Sequence, residues 1–400
     1  YMSDGALDDL FILDLSHGLA AAYCTKWFAD LGANVVMVEP ADKGASIRDI
    51  GPFKNDEPNQ ETGASHLYLN GGKKSISLSF KNEEGKSLLK QLIAKADILV
   101  EDEAPGRLGN LGLGFEDLSA INNRLIYLSI TPFGQTGPYR DYPATELTLA
   151  AFSGTLAVRA ISGENPICMG GYQGMYIGGR IAFLSTMGAL LQRDITEAGQ
   201  HVDVSLQEAI AGNDMAAPTT YSYNGIAQVP PPSANARGRG GAGRYPCKDG
   251  FVDVLPGIGG LKKLAAMLGD PELAQHELFK NHALRAEKAE EFDAEFMEPF
   301  FSTRTRAEIV EAAQAKGMPF SYVLTPDELP SEPHLVERGF FVDIEHPVAG
   351  KVTVPGSPAR LTETPPKTGI APQAGESNEA VLSEVLGIDD LSSLKNQGAL

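Results

Sequence analysis

A chain of 400 residues has room for two domains and a large core, and 42% apolar with 21% charged residues is ordinary for a globular protein. Thirty-three Lys and Arg against 52 Asp and Glu leave a net charge of −19 and a pI near 4.8, which excludes nucleic acid and anionic membrane as general partners. The same charge opposes polyanions, so phosphate binding needs local basic residues.

The first predicted elements form one unit. Phe11 to Leu15 is a short apolar run followed by Ser16, a good N-cap, and by small residues. An amphipathic stretch ends at Gly32, and a β-branched run from Val35 to Val38 closes a strand–helix–strand unit. Such a unit opens a doubly wound sheet. Trp27 and Phe28 belong to its core, and His17 is expected to make a structural hydrogen bond at the turn. Further on, Ser75 to Phe80 alternates like a strand, Glu83 to Ala96 has helical spacing behind an Asn82 cap, and strands follow at 98–100 and 125–130. Strands separated by helices of this length predict a mostly parallel sheet covered on both faces. Ligands on such sheets sit outside the carboxyl ends of the strands, here the loops after Leu15, Val38, Val100 and Ile130.

Residues 173–193 read as a long helix rich in small residues, 199–205 as a strand, and Leu206 onward as helix. Val229 to Arg244 is rich in Pro and Gly and reads as a linker or mobile loop. A smaller α+β unit follows, with a hairpin around Lys248 to Gly250; strand pieces lie at 340–344 and 351–354, and a last helix at 378–386. The expected fold is α/β, a Rossmann-like doubly wound large domain (1–225, rejoined by 336–400) with a small α+β domain (226–335) that carries the Gly-rich loop. Cys24, Cys168 and Cys247 lack CxxC spacing and read as free thiols of a reducing compartment. No uninterrupted apolar run reaches about 18 residues, and the first residues are acidic, so a cytoplasmic protein without a metal site is expected.

Ten motifs in order across the chain resemble the class III CoA-transferases, the CaiB/BaiF family. They include Leu13-Asp-Leu-Ser16, Ala29-Asp-Leu-Gly-Ala33, Val38-Glu-Pro40, Phe133-Gly-Gln-Thr-Gly-Pro-Tyr139, Gly199-Gln-His-Val-Asp-Val-Ser205 and Tyr245-Pro-Cys-Lys-Asp-Gly250. The resemblance implies two chains threaded through each other as an interlocked dimer, and a CoA thioester as substrate with no bound cofactor. It also implies an aspartate that attacks the thioester, becoming an acyl-aspartyl anhydride and then an aspartyl-CoA thioester.

That aspartate is missing. Counting back without gaps from Gly199-Gln200, its position is Met175, and residues 170–179 hold no acid. Glu146 and Glu164 are the nearest carboxylates. The histidine position of the racemase branch corresponds to Thr145, so proton shuttling is not expected either. The resemblance places CoA at His17, Ala20, Lys73, Lys74, Asp102, Glu103 and Arg107. Asp102 and Glu103 stand in Val100-Glu-Asp-Glu-Ala-Pro-Gly106, where the family commonly has Val-Glu-Asn-Phe-x-Pro-Gly, and two acids beside phosphates cost affinity. For the lysines and Arg107 the alternative is plain surface charge. The glycine-rich loop (Arg237, Gly238, Arg239, Gly240, Gly241 and Gly243) resembles a loop that closes over the family's active site, or else a basic linker.

These departures suggest a non-catalytic subunit of a heteromeric enzyme, with a paralogous catalytic subunit as partner and the aspartate on that partner. CoA would move from succinyl-CoA to a dicarboxylic acid such as (R)-benzylsuccinate. The alternatives are an active homodimer with an unrecognised acid nucleophile and a non-enzymatic acyl-CoA-binding scaffold.

Overall fold

The computed structural model describes residues 5–80, 82–159, 165–213, 216–227, 240–256 and 259–400. The chain divides into two compact units, one of residues 1–158, 167–228 and 334–400, the other of 159–166 and 229–333.

The larger unit is built on six parallel strands in the order β3-β2-β1-β4-β5-β6: β1 (Phe11–Asp14), β2 (Asn34–Glu39), β3 (Lys74–Ser77), β4 (Ile98–Glu101), β5 (Ile126–Thr131) and β6 (His201–Ser205). This is the doubly wound order expected when each crossover is right-handed and the chain returns past its first strand. Successive side chains of a strand point to opposite faces. Ile12, Val35, Ile98 and Leu128 therefore feed one core, and Leu13, Val36, Leu99 and Tyr127 the other. Both cores are needed because a parallel sheet has no face left for water.

Helices cover both faces. They are α1 (Leu19–Asp30), α2 (Ala64–Leu69), α3 (Glu83–Ile93), α4 (Phe115–Ser119), α5 (Glu146–Phe152), α6 (Thr155–Arg159), α7 (Gln173–Thr196) and α8 (Leu206–Asn213). Asn82 caps α3 by accepting the Gly85 N–H at 2.8 Å. The predicted strand at 75–80 ends early, because Ser79 turns its N–H to the Ala399 carbonyl. The most apolar part of α7 has a mean hydropathy of 1.2, enough by length and composition to cross a bilayer although polar residues interrupt it. Its inner face packs in the core through Ile177, Ala182, Ala189 and Leu190, and Arg193 pairs with Asp97 at 3.0 Å. Cys24, Cys168 and Cys247 are all free.

The smaller unit has a three-stranded antiparallel sheet, Gly243–Cys247, Gly250–Val254 and Ser321–Tyr322. The first two form the hairpin around Lys248 to Gly250. Its own core gathers Tyr245, Val252, Phe292, Phe301 and Phe320.

Late residues return to the larger unit. The hairpin Phe341–His346 and Gly350–Pro355 precedes a stretch that runs beside β3, and the helix Asn378–Leu386 buries Val381 and Leu382 in the second core. This stretch closes a buried charge cluster. Arg48, fully enclosed, grips Glu39 at the end of β2 with two bonds of 2.7 Å, and reaches Glu61 and the Pro372 carbonyl at 3.0 Å each. Burial opposes ionisation of Glu39, but bonds from Arg48, the Ser75 hydroxyl and the Ala45 N–H outweigh it and hold its carboxyl below the usual range. His66, beside Arg48 at 2.9 Å, is driven down to about 3 by burial and by that guanidinium, so it stays neutral. Removing one member of such a pair leaves the other charged and dry. Arg48→Met is expected to cost about 3–5 kcal/mol, read as a lower urea midpoint, and a double apolar replacement of Glu39 and Arg48 to recover much of that loss.

Candidate functional site

A cavity of about 360 Å³ opens at the carboxyl edge of the sheet, bordered by His17, Ala20, Asp102, Thr145, Glu146 and Met175. The turn after β1, the loop after β4, the end of β5 and the starts of α5, α7 and α8 border it, together with Ser46 and Ile50.

The turn after β1 is fixed from a distance. The predicted N-cap, Ser16, gives its hydroxyl to Asp14 at 2.5 Å. The helix is capped instead by Asp102 from the loop after β4, whose two carboxylate oxygens accept the N–H groups of His17 at 2.9 Å and Gly18 at 2.6 Å. A carboxylate there completes orphan donors and meets the positive end of the helix. Burial raises the Asp102 carboxyl to about 6 against the pull of the His17 N–H and the His17 charge. Asp102 therefore does not stand out as a free charge against phosphates, as its sequence position suggested. Glu103 turns to Arg107 at 2.8 Å and lies 3.9 Å from the His17 ring. His17 Nδ1 is buried and has no partner among the described residues.

Lys73 departs furthest from expectation. It is neither surface charge nor free for a phosphate: its ammonium is buried on Asp14 (3.3 Å), the Ala22 carbonyl (3.1 Å), Thr25 (2.7 Å) and Asn70 (2.8 Å). Burial lowers its pKa, and Asp14 offsets that in part. It serves to neutralise the strand-end acid of β1. Lys74 is partly exposed and pairs with Glu384 at 3.1 Å, and Arg107 is exposed apart from Glu103.

Ala20 lines the cavity where α1 meets α7. A Cβ on Gly179 would come within 2.4 Å of the Ala20 carbonyl, so only glycine lets the two helices approach this closely. That approach sets the depth at which α7 begins. Its first turn holds Met175, partly buried against both flanking apolar clusters and facing the cavity. No acid precedes it on the helix. Glu146 comes over from the start of α5, accepting the Gly174 N–H at 2.6 Å and the Met175 N–H at 3.1 Å. Thr145 caps α5 beside it.

Tyr172, which the sequence did not single out, is the N-cap of α7, with φ 58° and ψ 37°, and its side chain lines the cavity. A left-handed backbone costs a non-glycine residue about 1–2 kcal/mol. The pair Gly171-Tyr172, both at positive φ, turns the chain into the helix. The only signal in the sequence was the Gly170-Gly171 pair before it.

Of the Gly-rich loop, Arg237, Gly238 and Arg239 lie outside the described residues, as does Glu164. Gly240 and Gly241 adopt positive φ in the smaller unit, and the Gly241 N–H is held by Asp293 at 3.0 Å. Among the described residues no group of His, Cys, Asp and Glu is placed to hold a metal.

Under the cavity's loop, Glu101 is buried with its carboxylate on the Ser129 hydroxyl and the Glu103 N–H, and Ser129 lies 2.9 Å from His201 Nε2. Burial, reinforced by Asp102 and Glu103, lifts its pKa to about 7. A carboxyl raised on folding favours the protonated native state, so its contribution is full at low pH and is lost as pH rises toward 7. Glu101→Gln is expected to be more stable than the wild type at pH 8, with the difference shrinking to nothing near pH 4.5, as measured by denaturant unfolding across that range.

A family model described as CoA-transferase family III matches residues 7–378. The chain is 30% identical to the formyl-CoA:oxalate CoA-transferase of Streptomyces coelicolor, with 100% of both chains aligned. It is also 30% identical to subunit BbsE of the succinyl-CoA:(R)-benzylsuccinate CoA-transferase of Thauera aromatica, over 93% of this chain and 92% of that one. Among solved structures, a CAIB/BAIF family protein from Brucella suis superposes with a TM-score of 0.84 at 26% identity, covering 96% of this chain and 100% of that one.

Proposed function

The chain belongs to CoA-transferase family III, and on that premise we propose that it is the subunit of a heteromeric CoA-transferase that does not carry the nucleophile. The observation that carries this is Met175. By the count back from Gly199-Gln200 the family's aspartate position falls at Met175, whose thioether lies in the first turn of α7 and lines the cavity. A thioether cannot form the mixed anhydride through which a carboxylate passes CoA from one acid to another. The nucleophile would come from a paralogous subunit, with which this chain completes an interlocked dimer in the cytoplasm. Subunit BbsE, at 30% identity, supports a two-subunit arrangement. It also supports succinyl-CoA and a dicarboxylic acid such as (R)-benzylsuccinate as the exchanged pair. His17, Ala20 and Arg107 remain the residues proposed to face CoA in this chain.

One observation favours a second reading, an active chain using Glu146. That carboxylate lies within hydrogen-bonding distance of the Met175 N–H and borders the cavity. Against it, both oxygens are already engaged, one by the Gly174 N–H and the other by the Met175 N–H, so an attack would have to break one of these bonds.

Purified alone and with the acid-bearing paralogue, the chain is to be assayed for CoA transfer from succinyl-CoA. Activity is expected only in the mixture, and Asp→Ala in the paralogue is expected to abolish it. Transfer by the chain alone, lost in Glu146→Gln, would establish the second reading instead.

A further inference from the structure

The inner face of α7 is packed in the core, and its outer face lies open to solvent. Ile181, Leu184, Gly188, Leu191 and Ile195 follow one another along that face, alternately three and four residues apart. Leu184, Leu191 and Ile195 are 62%, 65% and 84% exposed, and Ile181 and Gly188 are exposed as well. Such spacing is the seam of two paired helices. A lone exposed apolar side chain needs no explanation, but a line of four large ones marks a contact surface.

The seam itself says what covers it. A Cβ on Gly188 would meet nothing within 4 Å, so no contact inside the chain asks for glycine in the middle of this helix. Glycine there costs about 1 kcal/mol against alanine, and the close approach of a second backbone accounts for it. The line also reads the same in both directions: Ile, Leu, Gly, Leu, Ile. A two-fold contact between identical surfaces requires this, because each residue meets one from the opposite end. Antiparallel pairing about Gly188 sets Ile181 against Ile195 of the other copy, and Leu184 against Leu191.

The edges of the seam match by the same operation. At about 3.6 residues per turn, Arg180 and Asp194 flank it on one side, and Ser185 and Gln192 on the other. The two-fold brings Arg180 of one copy beside Asp194 of the other, and Ser185 beside Gln192. Arg180 and Asp194 are both exposed, and neither makes an ion pair among the described residues. A groove of about 470 Å³ shares Ile181 and Ser185 with the seam and is bounded by Asp203 and Glu208. It widens the face beyond one helix, as a stable interface of at least about 1,200 Å² demands. A net charge of −19 opposes an anionic lipid surface as the occupant.

We propose that two copies of this chain associate through α7, antiparallel about a two-fold axis at Gly188. The contact goes beyond the reading of the cavity and is separate from the threading with the acid-bearing subunit. It joins two such pairs into an assembly holding two copies of each chain.

Sedimentation of the full chain, purified without its partner, tests this. The wild type is expected to sediment as a dimer of the 42.6 kDa chain. Leu184→Glu combined with Leu191→Glu is expected to weaken dimerisation at least about a hundredfold, since the new acids would be buried without counter-charges. Both positions are exposed in the single chain, and circular dichroism checks that the fold is kept. Gly188→Leu is expected to weaken dimerisation at least about tenfold by overfilling the crossing, although leucine favours the helix. Arg180→Glu and Asp194→Arg are each expected to weaken it, and the two together to restore it. A monomeric wild type, a dimer unchanged by the leucine or glycine substitutions, or a charge exchange that fails to restore association would each overturn the inference. Flotation of the wild type with phosphatidylcholine vesicles, lost in the leucine variant, would also overturn it and assign the seam to lipid. CoA transfer in the mixture with the paralogue is read separately: its absence would overturn the non-nucleophilic role and leave the self-association standing.

Discussion

The carboxylate of Asp102 on the amides of His17 and Gly18, just before α1, is the contact on which the site depends. It joins the end of β4 to the turn after β1, two neighbouring strands of the sheet whose loops would otherwise be free to diverge. With the turn fixed, His17 and Ala20 take their places, and α7 can settle against Ala20 only because residue 179 has no side chain. The same theme repeats along the sheet edge. Asp14, Glu39 and Glu101 end their strands as acids, and each is consumed by what lies beyond it, through Lys73, Arg48 or Ser129. A chain with a net charge of −19 thereby hides several of its negative charges inside its own framework. Buried pairs of this kind add little net stability over apolar packing, but they punish the loss of either member.

The start of α7 follows the same logic with a different outcome. A helix N-terminus attracts an anion, and here the anion arrives from another helix. Glu146 satisfies the amides of Gly174 and Met175, which leaves Met175 free to pack as an apolar residue. A methionine is therefore structurally at ease at that position: the helix start has its anion and the cavity has a wall.

Much of this was legible in the sequence. Strand-forming runs, the long helix of small residues and the order of motifs gave the sheet, and a count back from Gly199 located Met175 at the helix start. What could not be read were contacts made between distant segments. Ser16 has the composition of an N-cap, but Asp14, two residues away, captures its hydroxyl, and Asp102 takes the role from 84 residues downstream. Lys73 reads as surface charge because its acceptors Asp14, Ala22 and Thr25 come from β1 and α1. Tyr172 was overlooked because nothing about a tyrosine announces a left-handed backbone; only its glycine neighbours hint at one.

The tail stretch beside β3 carries a consequence for how the molecule is made. Pro372 closes the Arg48 cluster across 324 residues of chain, and the N–H groups of Ala374, Gly375 and Ser377 fasten to Glu61 and Ser75. During synthesis the ribosome delivers Arg48 and Glu39 early, and the segment that seals them among the last. The first half of the sheet must wait, with its ion pair open to water on one side, while the whole smaller unit is translated in between. Long-range closure of this kind slows folding. It also makes the edge strand β3 hostage to proteolytic nicking far away in the sequence, since a cut before residue 372 would release the cover from the cluster that anchors the sheet's edge.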